Sequence, residues 1–233
     1  MIFPTSQLRK FFNQSKVQEG IVSVYGDTGV GKTTFALQTL MNTRISGKNV
    51  LFIYTKHKFP SSRLYDLAER NRNRLDELLE KTLIINTPNF KDLRKITFNL
   101  DFLIADLLKE INFVPNVIII DSITDLYKLD LNMESKEKNI ALNYELNQIL
   151  ANLQYLKEIH NLEILLVNDI SRKELGDTII EVQSGGKVMD YWIEFSIKIT
   201  RSKSLNQRYI ELTKSPSEQK LKFTSRLSEL GFE

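Results

Sequence analysis

The chain alternates short apolar runs with longer stretches in which apolar residues recur every three or four positions. Ile21–Tyr25 (IVSVY), Val50–Tyr54 (VLFIY), Leu83–Asn86 (LIIN), Asn116–Asp121 (NVIIID) and Glu163–Asn168 (EILLVN) are strand-sized and apolar almost throughout. Runs of that kind predict strands covered on both faces, as in a parallel sheet. Between them, Lys32–Asn42, Ser61–Arg74, Phe98–Ile111 and Glu137–His160 read as helices. The last of these carries Leu142, Leu146, Ile149, Leu153 and Leu156 along one stripe. After Ser184-Gly185-Gly186 the pattern changes. Glu194–Thr200, Arg208–Thr213 and Leu221–Thr224 alternate apolar and polar residues, which predicts antiparallel edge strands with one exposed face. Arg172–Gln183 is polar and aperiodic, and it reads as a mobile loop. The expectation is an α/β fold: a mostly parallel twisted sheet, helices on both faces, and antiparallel strands at the C-terminal end. Residues 1–20 read as a short leader to one core spanning 21–233.

Composition narrows the class without fixing it. An apolar share of 42% over 233 residues is enough for one sizeable core. Thirty-two basic residues against 29 acidic ones leave a net charge of +3, which neither demands nor excludes nucleic acid. There is no cysteine, so disulfides and thiolate metal sites are excluded. No apolar run is long enough for a signal peptide or a spanning helix. A soluble, cytoplasmic chain is expected.

The chemistry begins at Gly26-Asp27-Thr28-Gly29-Val30-Gly31-Lys32-Thr33, followed by Thr34. This string fits a phosphate loop, G-x-x-x-x-G-K-[ST]. Its glycines let main-chain N–H groups turn inward at phosphate oxygens, and the helix that follows adds its positive end. Lys32 is placed to bridge the β and γ phosphates, and the Thr33 hydroxyl to hold Mg²⁺. Asp121 ends an apolar strand. If that strand neighbours the loop's own strand, its carboxylate is a second Mg²⁺ ligand, usually through water. Read alone, Asp121 or Ser122 can equally be a helix cap.

These motifs and their order resemble the RecA/RadA family of recombination ATPases, and within it the small RadB-like paralogues of archaea. Gly29 through Gln38 is similar to the family's first motif and helix. Leu165-Leu166-Val167-Asn168 stands where the family has a strand ending in Asn-Gln that senses the γ-phosphate. Ser184-Gly185-Gly186 resembles the glycine pair closing the second DNA-contacting loop. The tail from Arg208 to Phe232 is similar to the family's last strands. The resemblance implies a RecA-like core, ATP and Mg²⁺ as cofactors, and single-stranded DNA with a main recombinase or other repair proteins as partners.

Three departures qualify that implication. Lys56 stands where the family places the Glu that activates the attacking water, and a protonated lysine cannot take a proton from water. Asp169 replaces the sensor Gln, and a carboxylate there repels the γ-phosphate unless a cation compensates. The segment that precedes the core in true recombinases has no counterpart in the leader. The expectation is ATP binding with weak or no hydrolysis, in which Lys56, Asn168 and Asp169 line the catalytic position. A Lys56–Asp169 ion pair is one way to balance the charges. Solvent-facing positions for both are the alternative.

Lys56, Lys58, Arg63, Arg70, Arg72 and Arg74 form a basic stretch opposed only by Asp66 and Glu69. It reads either as a DNA or partner contact or as a solvated helix face. Arg172 and Lys173 add two cations, set against Glu174, Asp177 and Glu181. Modest, salt-sensitive DNA binding without base readout follows. Tyr127, Tyr144, Tyr155 and Trp192 read as packing residues, and His160 as a charge at a helix C-terminus. Exposed edge strands near the C-terminus allow a homo-oligomer. The rival readings are a KaiC-like regulatory ATPase, a small-molecule phosphotransferase with Arg172 as its lid arginine, and a nucleotide-independent scaffold.

Overall fold

The computed structural model describes residues 1–14, 20–70, 74–131, 135–175, 178–217 and 220–233. In chain order its elements are α1 (Ser6–Gln14), β1 (Ile21–Gly26), α2 (Lys32–Ile45), β2 (Val50–Tyr54), α3 (Ser61–Arg70), α4 (Leu75–Leu79), β3 (Thr82–Asn86), α5 (Phe90–Phe98), α6 (Leu100–Ile111) and β4 (Val117–Asp121). There follow α7 (Asp125–Asp130), α8 (Lys136–His160), β5 (Glu163–Leu175), β6 (Thr178–Gln183), α9 (Gly186–Trp192), β7 (Phe195–Arg201), β8 (Gln207–Lys214), β9 (Leu221–Ser228) and β10 (Gly231–Phe232).

The strands form one sheet in the order β10-β9-β8-β7-β1-β5-β4-β2-β3, with β6 paired to the far end of β5. From β7 through β3 the neighbours are parallel, and from β7 outward to β10 they are antiparallel. The two-residue period of a strand sends alternate side chains to opposite faces. Val22, Val24, Phe52, Val117, Ile119, Leu165 and Val167 meet α2 and α3 on one face, with Phe3 and Leu8 from the N-terminal segment in the same core. Ile21, Leu51, Ile53, Ile118, Ile120, Ile164 and Leu166 meet α5, α6, α8 and α9 on the other. These central strands are buried on both sides, hence their near-continuous apolar composition.

Several expectations need correction. Arg172–Gln183 is not a loop without structure. Strand β5 runs on past the sheet, and its last six residues pair with β6 in an antiparallel ribbon, Ile170 opposite Gln183 and Leu175 opposite Thr178. From Thr178 to Glu181 the side chains of β6 are all exposed, so no inward and outward alternation marked it as a strand. Ser61–Arg74 is not one helix, because α3 ends at Arg70 and α4 starts at Leu75. The helix read as Phe98–Ile111 starts at Leu100, and Phe98 closes a further helix, α5, capped by the Asn89 side chain. Tyr127 is buried and Trp192 partly so, but Tyr144 and Tyr155 are largely exposed and are not packing residues. His160 lies in the last turn of α8, where its Nε2 meets Asp101 Oδ1 at 2.6 Å.

Candidate functional site

Strand β1 delivers Gly26 to the carboxyl end of the sheet, and Asp27–Gly31 curl from there into α2. Gly29 and Gly31 adopt φ of 78° and 104°, a region costly for residues with a Cβ. At Gly26 a Cβ would overlap the main-chain oxygen of Ile199 on β7. The glycine positions of the motif are therefore dictated by the backbone path. Asp27, Thr28 and Gly29 are exposed, Val30 is buried, and Thr33 and Thr34 are half-buried on the first turn of α2. Two arginines missed by sequence reasoning brace the loop from the added strands. Arg201 donates to Thr28 O at 2.9 Å and Arg208 to Val30 O at 3.2 Å. They lie far off in sequence, and only the placement of β7 beside β1, with β8 beyond it, reveals them.

Lys32 is buried, and its ammonium lies inside the curl. It donates to Gly26 O at 2.7 Å, to Asp27 O at 3.0 Å and to Asp169 Oδ1 at 2.8 Å. Asp169 stands in register with Gly26 across the β1–β5 pair. Its second oxygen meets Lys128 Nζ, on α7, at 3.4 Å. Burial alone would raise the Asp169 pKa, but Lys32 and Lys128 outweigh it and hold the carboxyl below its ordinary value. Lys128 is a third residue that the sequence did not flag. Lysine on a short polar helix carries no signature.

The strand of Asp121 is not the neighbour of the loop's strand, as the sequence reading required: β5 lies between β4 and β1, and Asp121 meets the start of α2 through Thr33 instead. It is fully buried, and neither carboxylate oxygen accepts a hydrogen bond among the described residues. Desolvation raises its pKa, while Lys56, the nearby Thr33 hydroxyl and Lys32 favour the charged form. The peptide bond from Asp121 to Ser122 is cis. The capping alternative for Asp121 fails: the Ser122 hydroxyl, not the Asp121 carboxylate, accepts from Asp125 N at the start of α7. A buried carboxylate without a partner is expensive unless a cation completes it. With Thr33 as its neighbour, the pair suits a hard divalent cation held by oxygen ligands and water. The glycine curl suits a phosphate chain.

Of the two readings, the Lys56–Asp169 pair does not form, and Lys56 is exposed as the alternative had it, whereas Asp169 is half-buried. Lys56 follows β2 and meets Asp125 at 3.5 Å, whereas Asp169 is taken by Lys32 and Lys128. The reason lies in strand order: Lys56 emerges beside β4, and Asp169 emerges beside β1. Burial would discharge Lys56, but Asp121 and Asp125 prevail and raise its pKa. Lys56 thus favours its charged form, with Asp125 as its ion-pair partner. Asn168 is buried. Its side chain accepts from Thr124 and from Asp169 N and donates to Ser184 O at 3.0 Å, which ties β5 to the residues before α9.

The basic residues do not converge on one face. Arg63 donates to Ser228 O and Glu229 O, and Arg70 pairs with Glu229, so both bind α3 to the C-terminal strands. Arg74 pairs with Asp76 and Glu77. Lys58 is exposed. Arg172 lies 3.8 Å from Glu181 across the ribbon. Arg72 and Asp177 lie outside the described residues. Lys128, Lys173 and Lys187 instead line a cavity of about 440 Å³ at the root of the ribbon, with Ser171, Ser184 and Gly186.

The fold and this loop define a phosphate-loop α/β domain of RecA-like type. The Rad51 family model matches residues 5–233, and the chain belongs to that family. It is 28% identical over 207 residues to the DNA repair and recombination protein RadB of Methanococcus maripaludis strain C5, covering 88% of this chain and 87% of that one. To RadB of Methanocaldococcus jannaschii it is 29% identical over 220 residues, 93% and 94% of the two chains. To RadB of Thermococcus kodakarensis it is 28% identical over 173 residues, 73% and 71%. No helix among the described residues is long and apolar enough to cross a membrane.

Proposed function

We propose that this protein binds ATP with Mg²⁺ and assists homologous recombination and DNA repair beside a main recombinase, with weak or no hydrolysis. One observation carries the reading. A glycine curl with a buried lysine lies near a buried aspartate whose carboxylate accepts no well-formed hydrogen bond among the described residues, and the cation Lys56 stands beside it where the family places an acid. Bound ATP would lie against the main-chain N–H groups of Gly29–Thr34, with Lys32 at its phosphates. Thr33 and Asp121 would hold Mg²⁺, which when bound neutralises phosphate charge. Lys56 is held protonated and so cannot draw a proton from water; a missing general base costs about two to four orders of magnitude in rate. The nucleotide-binding residues belong to the core from residue 21 onward, and the N-terminal segment packs Phe3 and Leu8 into that same core. The relatives named for DNA repair and recombination favour the same role.

Single-stranded DNA is the proposed ligand of the ribbon and the cavity at its root, where Lys128, Lys173 and Lys187 gather. A second reading, a nucleotide-switched protein-docking module that does not act on DNA, is favoured by the ion pairs that already occupy Arg70, Arg74 and Arg172. The open sheet edges at β3 and β10 also allow a homo-oligomer.

The test is ATP binding and turnover, with and without single-stranded DNA, for wild type and Lys32→Ala. The expected result is Mg²⁺-dependent binding lost in Lys32→Ala, turnover near background, and DNA binding that nucleotide strengthens. Vigorous DNA-stimulated turnover would overturn the weak-hydrolysis reading. Nucleotide binding with no DNA binding would favour the docking module.

A further inference from the structure

An ammonium has three N–H donors, and three acceptors take those of Lys32: Gly26 O, Asp27 O and Asp169 Oδ1. No donor is free for a phosphate oxygen until one acceptor yields. Two of them are main-chain carbonyls of the loop. The third is a side chain that rotation can withdraw, and it alone is charged. Because Asp169 is in register with Gly26, its carboxylate is an anion seated on the lysine where a phosphate oxygen would sit. Lys128 fixes this arrangement from the other side, meeting Asp169 Oδ2 and donating to Ile170 O at 3.0 Å.

We propose that Asp169 is a specificity-determining residue that makes this site favour a nucleoside diphosphate over a triphosphate. The inference rests on the nucleotide-binding reading above. A diphosphate brings one phosphoryl group fewer to the Lys32 ammonium. The terminal phosphoryl of a triphosphate must displace Asp169 or lie against it, and like charges a few ångströms apart in a half-buried site repel. Lys128 offers the displaced carboxylate a second seat, so it offsets part of the penalty and sets its size. Because Lys128 also holds the first residue of the ribbon, the same displacement reaches β5 and β6.

Competition against a fluorescent nucleotide, with Mg²⁺ present, gives affinities for ADP and ATP in wild type, Asp169→Asn and Lys128→Gln. Wild type is expected to prefer ADP by about tenfold, a common size for site-to-site coupling. Asp169→Asn should erase or invert that preference by tightening ATP. Lys128→Gln leaves the carboxylate wholly to Lys32 and should widen the preference; it also keeps the test open if Asp169→Asn does not fold. Equal affinities in wild type, or ratios unmoved in both variants while both nucleotides bind, would overturn the inference and leave the phosphate loop assignment standing. Failure of wild type to bind either nucleotide would overturn that assignment, and this inference with it.

Discussion

Asp121 is buried, has no hydrogen bond to either oxygen among the described residues, and has its pKa raised by desolvation. A carboxyl whose folded pKa lies above its unfolded value costs stability wherever it is ionised, and the cost fades as pH falls and the group takes up a proton. Asp121→Asn should therefore melt higher than wild type near neutral pH when no nucleotide or Mg²⁺ is added. The expected gain is about 1 kcal/mol, or roughly 2–4 °C for a chain of this length. The gain should shrink on acidification and reverse when Mg²⁺ with nucleotide is added, because only the carboxylate can use the cation. Differential scanning fluorimetry across pH, with and without Mg·ADP, checks this. A variant that melts lower than wild type under every condition would show that Asp121 is structural. Asp169 has the opposite sign: its depressed pKa adds stability above the unfolded value, lost as pH falls through the folded one. One site thus holds one carboxylate that the fold stabilises and one that it strains.

At the scale of elements, α2 is held from two directions. The phosphate loop feeds its N-terminus, and β10 is clamped along its side. Gln38 Oε1 accepts from Phe232 N, Gln38 Nε2 donates to Phe232 O, and the Phe232 ring packs edge-on to Phe35 at 5.7 Å. Phe232 is buried and lies close to Gly31, so the last strand supports the back of the loop. Phe232→Ala should cost about 3–5 kcal/mol in denaturant melts, against less than about 0.5 for Leu205→Ala at an exposed turn. Equal, small losses would mean that β10 is dispensable. Which elements were legible in the sequence follows from the same packing. The central strands β1, β2, β4 and β5 are buried on both faces and read as apolar runs, whereas β3, read the same way, is a half-buried edge strand; the phosphate loop reads because its glycines obey backbone geometry. The ribbon was illegible because β6 buries neither face over most of its length, and α7 because six residues carry less than two full turns of periodicity. At the site, Lys32, Thr33 and Asp121 were legible by type and position. Lys128, Arg201 and Arg208 were not, since each acts through a neighbour that only strand order supplies. The charge pairing of Lys56 was misread for the same reason.

For the whole molecule the question is how much positive charge is left for a polyanion. The net charge is only +3, and much of the basic set is already committed within the chain. Arg70, Arg74 and Arg172 have acidic partners, and Arg63 is spent on main-chain oxygens. Lys173 and Lys187, beside the cavity at the root of the ribbon, have no ion-pair partner among the described residues, and Lys128 joins them if Asp169 lets it go. Two or three phosphates is then the reach of this surface. Each phosphate neutralised on a single strand contributes about −0.7 to the slope of log affinity against log salt. The expected slope is about −2, which weakens binding by roughly 16-fold between 50 and 200 mM salt. Because contacts to phosphate carry no base information, oligo-dT and mixed sequences of one length should give the same slope and similar affinity. Lys173→Ala and Lys187→Ala should each flatten the slope by about 0.7. Fluorescence anisotropy over a salt series measures all of this. A slope of −5 or steeper would mean that the arginine pairs open on binding, and a slope of zero would remove DNA from the list of ligands.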